Sequence, residues 1–294
     1  MSMMLRMAGT LGQRRVPFFG LLDLHPGAAA CYPLRVVKAA DINEPLLRVR
    51  RDSDNDEINV KADLSAMVNG NYFLSMNSGL VGSGASFADF MGSANGFVRT
   101  WYDQSGNARH AEQATAGNQP QIVAGGALYT IGGKPRVRFD ADAHTMSFSS
   151  ITPTSLWWVA QTTAITKAIH YLLWNGTNLS DARGMYQAGS AVGVNGLGVF
   201  DGTLKSITST ETARLLASIY YNGTAYEAAV NAGSATAFTA GSQFDVSHIG
   251  RGIPPSDVNL SIGGHIEELL MYTSNQSANR TAIESNINAA WGVF

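Results

Sequence analysis

The chain has 294 residues, 45% of them hydrophobic, and its 20 Lys and Arg against 22 Asp and Glu leave a formal charge of -2. At about 150 residues per domain this length allows two domains, yet β-sandwiches of roughly 200–250 residues commonly form one. With only 14% of residues charged, a polyanion-binding surface built on net charge is excluded, so nucleic acid is not an expected partner, although a local basic patch stays open.

Thirty-one glycines, with many Ser, Thr, Asn and Ala, suit turn-rich β structure better than helices or disorder. The single cysteine, Cys31, has no partner for an intrachain disulfide and reads as a small buried apolar residue. No run of 18 apolar residues occurs, and Arg6, Arg14 and Arg15 interrupt the opening segment, so neither a signal peptide nor a membrane partner is expected.

In chain order, residues 1–20 carry four Met and three Arg without a clear period. They read as an extended arm that docks on a neighbour, or as a frayed terminus. A single β-domain is expected over residues 21–294. The predicted strands are Leu46 to Arg50, Phe97 to Tyr102, Arg136 to Phe139, Leu156 to Thr162, Tyr171 to Trp174, Leu215 to Tyr221, Ala225 to Asn231 and His265 to Tyr272. Asn175-Gly176, Asn195-Gly196, Asp201-Gly202 and Asn222-Gly223 supply the positive φ that two-residue hairpins need, most clearly at Asn222-Gly223. Two stretches read as helix. Ala62 to Met67 is short; at the C-terminus Ser277 is placed to cap a helix with Ile283, Ile287 and Trp291 on one stripe and Gly292 at its end. Many strands and little helix predict an all-β antiparallel sandwich or jelly roll with a short C-terminal helix.

Asp52, Asp54, Asp56 and Asp63 fall at positions 1, 3, 5 and 12 of a stretch that echoes a calcium loop. Glu57 replaces the glycine expected at position six, so an acidic solvated turn neutralised by Arg48, Arg50 and Arg51 is the competing reading. Calcium is the one cofactor these motifs suggest. No nucleophile elbow or zinc signature is present. Glu267 and Glu268 are adjacent, so on a regular strand they point to opposite faces and do not form a catalytic pair; an outer-strand, solvent-facing position is the simple reading. Trp157 and Trp158 are also neighbours, so one is expected in the core and the other outward as a stacking platform for a sugar ring, or covered by a loop or subunit.

The run Trp101-Tyr102-Asp103-Gln104-Ser105-Gly106-Asn107, followed by Asn118-Gln119-Pro120, resembles the catalytic domain of the family 54 α-L-arabinofuranosidases, a pattern also met in bacteriophage virion proteins. Gly27 to Tyr32, Leu34-Arg35 and the run from Arg48 to Asp56 extend the resemblance over about residues 22–140. The second half, through Lys134-Pro135, Phe139-Asp140 and the ending from Gly263 to Trp291, is similar to concanavalin-like and laminin-G-like jelly rolls of phage tail and capsid-associated proteins. The resemblance implies a catalytic Glu beside a pair of adjacent cysteines, and neither occurs at the comparable place. Asp201, Asp257 and Glu268 are the nearest catalytic candidates, and Trp101, Asp103 and Trp158 the candidate glycan contacts.

These departures lean against an enzyme. What the resemblance implies is a virion structural protein, made in the host cytoplasm and carried on the particle surface as a decoration, head fibre or tail-associated adhesin. Its expected partners are other virion proteins through residues 1–20 and host-surface glycans, and it is expected to form a homo-oligomer, with a trimer one option. The alternative is a glycoside hydrolase acting on host polysaccharide.

Overall fold

A computed structural model describes residues 18–139, 143–162, 171–175, 183–187, 196–200, 204–208, 214–238, 242–250 and 262–294. Every strand pairing among them is antiparallel. One run of paired strands places Thr236–Phe238, Tyr226–Val230, Leu215–Tyr221, Ser155–Thr162 and Gly264–Tyr272 side by side. The last of these is long enough to pair on its far side with Val137–Phe139 at one end and Ala30–Pro33 at the other. A second run orders Glu57–Val60, Leu47–Arg51, Gly96–Trp101, Ala111–Glu112, Thr145–Ile151, Val246–Gly250, Tyr171–Asn175, Arg183–Gln187, Gly196–Phe200 and Leu204–Thr208. Gly96–Trp101 also pairs with Gln121–Ala124, which joins the two runs. The fold is the antiparallel β-sandwich that the patterning predicts.

The register explains the core. Tyr32, Leu269, Trp158 and Ala217 are cross-strand partners in the first layer, so their side chains share one face. Tyr32 meets Trp101 and Phe148 of the second layer at ring-centroid distances of 6.3 and 5.6 Å. The opposite face of the first layer carries Cys31, Leu270, Trp157 and Ser218. It is covered by the C-terminal helix Arg280–Trp291, which buries Ile283, Ile287 and Trp291 as its period predicts and ends at Gly292 with φ +64°. Where the helix lies, both faces of this layer are therefore dry, and Trp157 and Trp158 are both fully buried. The expectation of one outward tryptophan assumed one wet face; the helix removes it, and Trp157 packs against Tyr220 and Tyr272 instead.

Local chemistry differs from the prediction at several places. Residues 62–66 form no helix, because Asp63 accepts hydrogen bonds from the Ser65 N–H and hydroxyl and turns the chain. Met67–Val68 then pairs with Asn71–Tyr72 across Asn69 and Gly70, whose φ values of +49° and +74° make the two-residue turn. At Asn222-Gly223 the hairpin forms, but through a four-residue loop. Tyr221 is opposite Tyr226, and the Asn222 carboxamide accepts from the Thr224 and Ala225 N–H groups. The other three predicted turns include residues outside those described. Ser277 opens a 3-10 turn over Ser277–Asn279 and does not cap the helix, whose N-cap is Asn279 without a side-chain bond. The short helix Phe87–Met91 was legible but unread: Ser86 and Asp89 form a capping box.

Candidate functional site

The face of the second layer turned away from the core gathers an uninterrupted row of polar and aromatic side chains. Register aligns Arg48 with Thr100, Thr100 with Glu112, Glu112 with Ser147, Ser147 with His248, and His248 with Trp174. Because side chains alternate along a strand, Tyr102 and His110 join this face from two residues beyond Thr100 and two before Glu112. The Tyr102 and His110 rings meet edge to face at 4.9 Å. Three adjoining depressions of about 270, 290 and 360 Å³ surround them, and Tyr102, His110 and Glu112 each form a wall between two of the three.

Charges line this groove on both flanks. Glu57 holds Arg48 at 2.6 Å and lies 3.9 Å from Arg99, while Asp41 and Glu44 stand at the other end. Burial pushes the Asp41 carboxyl up, against the pull of Lys38 at 3.8 Å. The Tyr102 hydroxyl is also pushed up by burial and donates to the Asn59 side-chain oxygen at 2.9 Å. His110 accepts a hydrogen bond at Nδ1 from the Asp103 N–H at 3.2 Å, which selects the tautomer with its proton on Nε2. At the far end Trp174 stacks on His248 with centroids 4.5 Å apart and 26° between planes. The Ser247 hydroxyl lies 3.0 Å from the Asn175 side-chain oxygen and 2.8 Å from His248 Nδ1, and burial lowers the His248 pKa. The buried Trp174 indole N–H has no hydrogen-bond partner among the described residues.

The resembling motif turns out to build the frame of this groove. Trp101 is fully buried and donates its indole N–H to the Pro33 carbonyl at 3.0 Å, so it offers no surface to a sugar. The Asp103 carboxylate is taken up by the N–H groups of Cys31, Ser105 and Arg109 and the Ser105 hydroxyl at 2.8–3.1 Å. Gln104 binds the Pro45 carbonyl, and Asn107 those of Ala28 and Ala29. These residues staple Ala28–Pro33 to the end of Gly96–Trp101. Within the motif, Tyr102 faces the groove with its ring half-buried. Sequence reasoning passed over Tyr102, His110, Trp174 and His248; alternation from Thr100 and the adjacency of Trp174 to a turn signal were the available clues.

Glu268 is correspondingly a fold residue. It is buried on a central strand, where Arg35 reaches it with Nε at 2.7 Å and Nη2 at 3.0 Å and Trp291 Nε1 at 2.5 Å. Glu267 is buried too, clasped by Arg214 at 2.6–2.9 Å. A bulge lies opposite Val159 and Ala160, which pair with Glu268 and Ile266 and leave Glu267 as the extra residue. Both carboxylates therefore face the C-terminal helix: Arg214 also binds the Trp291 and Gly292 carbonyls, while the Trp291 ring binds Glu268. Opposite-face pointing and a solvent-facing position, expected of a regular outer strand, are both corrected by the bulge and the helix. Asp201 and Asp257 lie outside the described residues. Trp158 is core.

The four aspartates of the calcium-like run do not converge. Asp52 accepts from Asn95, Asp54 and Asp56 from Arg51, and Asp63 from Ser65 and Ser75. Arg51 draws the Asp54 carboxyl down to about 2. The strand Glu57–Val60 runs between the first three and Asp63, carrying the twelfth position roughly 13 Å away at 3.3 Å per residue. Among the described residues no three His, Cys, Asp or Glu side chains gather as metal ligands, and no helix is long and apolar enough to cross a membrane.

No family model matches the chain, and no curated protein does. Three solved arabinofuranosidase structures are similar to it at 16% identity, each match covering 90% of this chain. A mutant of a family 54 α-L-arabinofuranosidase soaked with 4-nitrophenyl α-L-arabinofuranoside gives a TM-score of 0.64, a family 54 α-L-arabinofuranosidase soaked with a cyclic sulfate inhibitor 0.62, and an arabinofuranosidase complexed with arabinofuranosyl-α-1,2-xylobiose 0.61. This chain spans 63% of the length of those chains. At this identity the likeness is one of fold: the chain has the β-sandwich architecture of those glycosidases.

Proposed function

We propose that this chain is a glycan-binding β-sandwich that holds sugar on the outer face of its second layer without cleaving it. The observation that carries this reading is the register-aligned row from Arg48 to Trp174, with the half-buried Tyr102 and His110 rings set among carboxylates and guanidiniums. Aromatic faces take the apolar face of a sugar ring, and paired charged groups take its hydroxyls through charge-assisted hydrogen bonds. The likeness in fold to arabinofuranosidases supports carbohydrate as the ligand class by analogy. The full engagement of Glu268, Glu267 and Asp103 in fold-building contacts supports binding over hydrolysis. The likeness of the motif and the C-terminal ending to bacteriophage proteins supports a place on a virion surface, with residues 1–20 as the attachment.

The test pairs saturation-transfer NMR against host-surface oligosaccharides with an assay of 4-nitrophenyl α-L-arabinofuranoside hydrolysis. Binding that Tyr102→Ala weakens at least tenfold, with no turnover, is the expected result. Turnover would establish the hydrolase alternative, and absence of binding at millimolar sugar would end the glycan reading. Immunogold microscopy of particles tests the virion setting separately, and unlabelled particles would refute it.

A further inference from the structure

On the first layer, far from the groove, the segment Lys134-Pro135-Arg136-Val137-Arg138-Phe139 alternates cations with buried apolar residues. Pro135, Val137 and Phe139 face the interior, so Lys134, Arg136 and Arg138 stand together on the face that carries the C-terminal helix. Arg138 is the register partner of His265, and His265 that of Gln161, which extends the row across three strands. Arg214 approaches the same place from the adjoining strand and takes both oxygens of Glu267.

The charges here do not balance. Arg138 is engaged: its guanidinium lies over the Tyr129 ring and donates to the Tyr129 hydroxyl at 2.6 Å. Lys134 is buried beside the Phe73 ring, 5.9 Å from its centroid, with no carboxylate in salt-bridge range among the described residues. Arg136 donates through Nη1 to Gln161 at 2.9 Å, and its buried Nε has no partner among the described residues. His265 is 7% exposed, and its Nδ1 likewise has no hydrogen-bond partner among the described residues. Glu267, already held bidentate by Arg214, is the one carboxylate among the described residues whose field reaches Lys134 and Arg136, while Arg214 repels both. Buried cations and unpaired donors in this number cost free energy unless an anion meets them.

We propose that Lys134, Arg136 and His265 form an oxyanion site, separate from the groove, whose ligand is the carboxylate of an acidic sugar residue. Arg136 offers Nε, His265 in its Nδ1–H tautomer offers a neutral donor, and Lys134 adds charge from the side of the helix end. Gln161 holds the Arg136 guanidinium in place, and Tyr129 that of the neighbouring Arg138. The choice of a sugar acid as the carrier of the carboxylate rests on the glycan reading; the oxyanion site itself does not.

The test is NMR titration of the full chain, following the His265 ring resonances, with glucuronate, with glucose as the uncharged control and with inorganic sulfate as the minimal probe. Saturable shifts with glucuronate and sulfate but not glucose are expected. Arg136→Met should weaken both at least tenfold, and Tyr102→Ala should leave both unchanged. Because Arg136→Met removes an unpaired cation, its thermal midpoint without anion should equal or exceed that of the wild type, which separates lost binding from lost folding. No shift with either anion at tens of millimolar, or shifts indifferent to Arg136→Met, would overturn the site. Sulfate binding without glucuronate binding would overturn the sugar assignment alone, and failure of neutral glycans in the groove would leave the site untouched.

Discussion

Glu268→Gln separates a fold residue from a catalytic one. In the structure the carboxylate takes three donors, two from Arg35 and one from Trp291, all at 2.5–3.0 Å and all buried. A glutamine keeps one acceptor oxygen and turns an NH2 toward either Arg35 or the indole N–H, leaving a buried guanidinium without its counter-charge. Breaking a buried pair from one side costs about 3–5 kcal/mol. Arg35 keeps Asn71 and Asn286 as acceptors at 2.6 and 3.1 Å, which puts the expected loss near the lower end, about 3 kcal/mol. With a urea slope near 3 kcal/mol per molar, the unfolding midpoint should fall by about 1 M. Replacing both partners, Arg35→Met with Glu268→Leu, removes the stranded charge and should recover most of the loss. Equilibrium unfolding followed by tryptophan fluorescence reads all three proteins. A Glu268→Gln protein of wild-type stability that has lost glycan binding or turnover would refute the structural role.

Trp158→Ala should cost about 3–5 kcal/mol through the cavity it leaves, measured by the same unfolding, while glycan affinity per folded molecule stays unchanged. His265 makes folding acid-sensitive: burial first, then the fields of Arg136 and Arg138, lower its pKa to about 3. Its folded pKa lies below the unfolded value, so the unfolded chain binds the extra proton and stability falls as pH drops from 6.5 toward 3. The contribution at pH 5 is about 2 kcal/mol, and His265→Gln should flatten the stability–pH curve by that amount; an unchanged slope counts against a buried neutral imidazole. Gly264→Ala would bring its Cβ to 2.0 Å from the Gln161 carbonyl oxygen, across a strand pair that cannot part cheaply. A loss of at least about 2 kcal/mol is expected from the overpacking, and a neutral effect in thermal melts would show that the two strands separate more easily than their pairing implies.

The eight predicted strands were legible because apolar patterning and the Asn222-Gly223 signal are local, and the C-terminal helix because its stripe is long enough to define a period; strands such as Thr145–Ile151 and Val246–Gly250 went unread. What escaped the sequence was set by partners distant along the chain. Trp157 alternates as an outward residue should, and only the helix more than a hundred residues later makes it core. Glu267 and Glu268 obey period two until a bulge, invisible in composition, turns both to one side. In the calcium-like run the spacing was right, but spacing along a chain says nothing about distance once a strand intervenes.

The conspicuous sequence and the useful surface are consequently different things here. Trp101, Asp103, Gln104 and Asn107 give the motif its specificity, and all four are consumed in fastening two segments whose contacts span roughly 60–80 residues. Such a staple needs particular donors at particular spacings, so it leaves a strong sequence signature whether or not anything binds nearby. A binding face needs only that side chains of suitable chemistry line up across strands, and the strands bearing Arg48, Thr100, Glu112, Ser147, His248 and Trp174 are spread over about two thirds of the chain. The groove could therefore be read only after register was known, whereas the cation row from Lys134 to Arg138 lay open in the sequence as a strict alternation. Its meaning came from the one thing alternation cannot supply, the lack of a salt-bridge partner for Lys134 and Arg136 among the described residues.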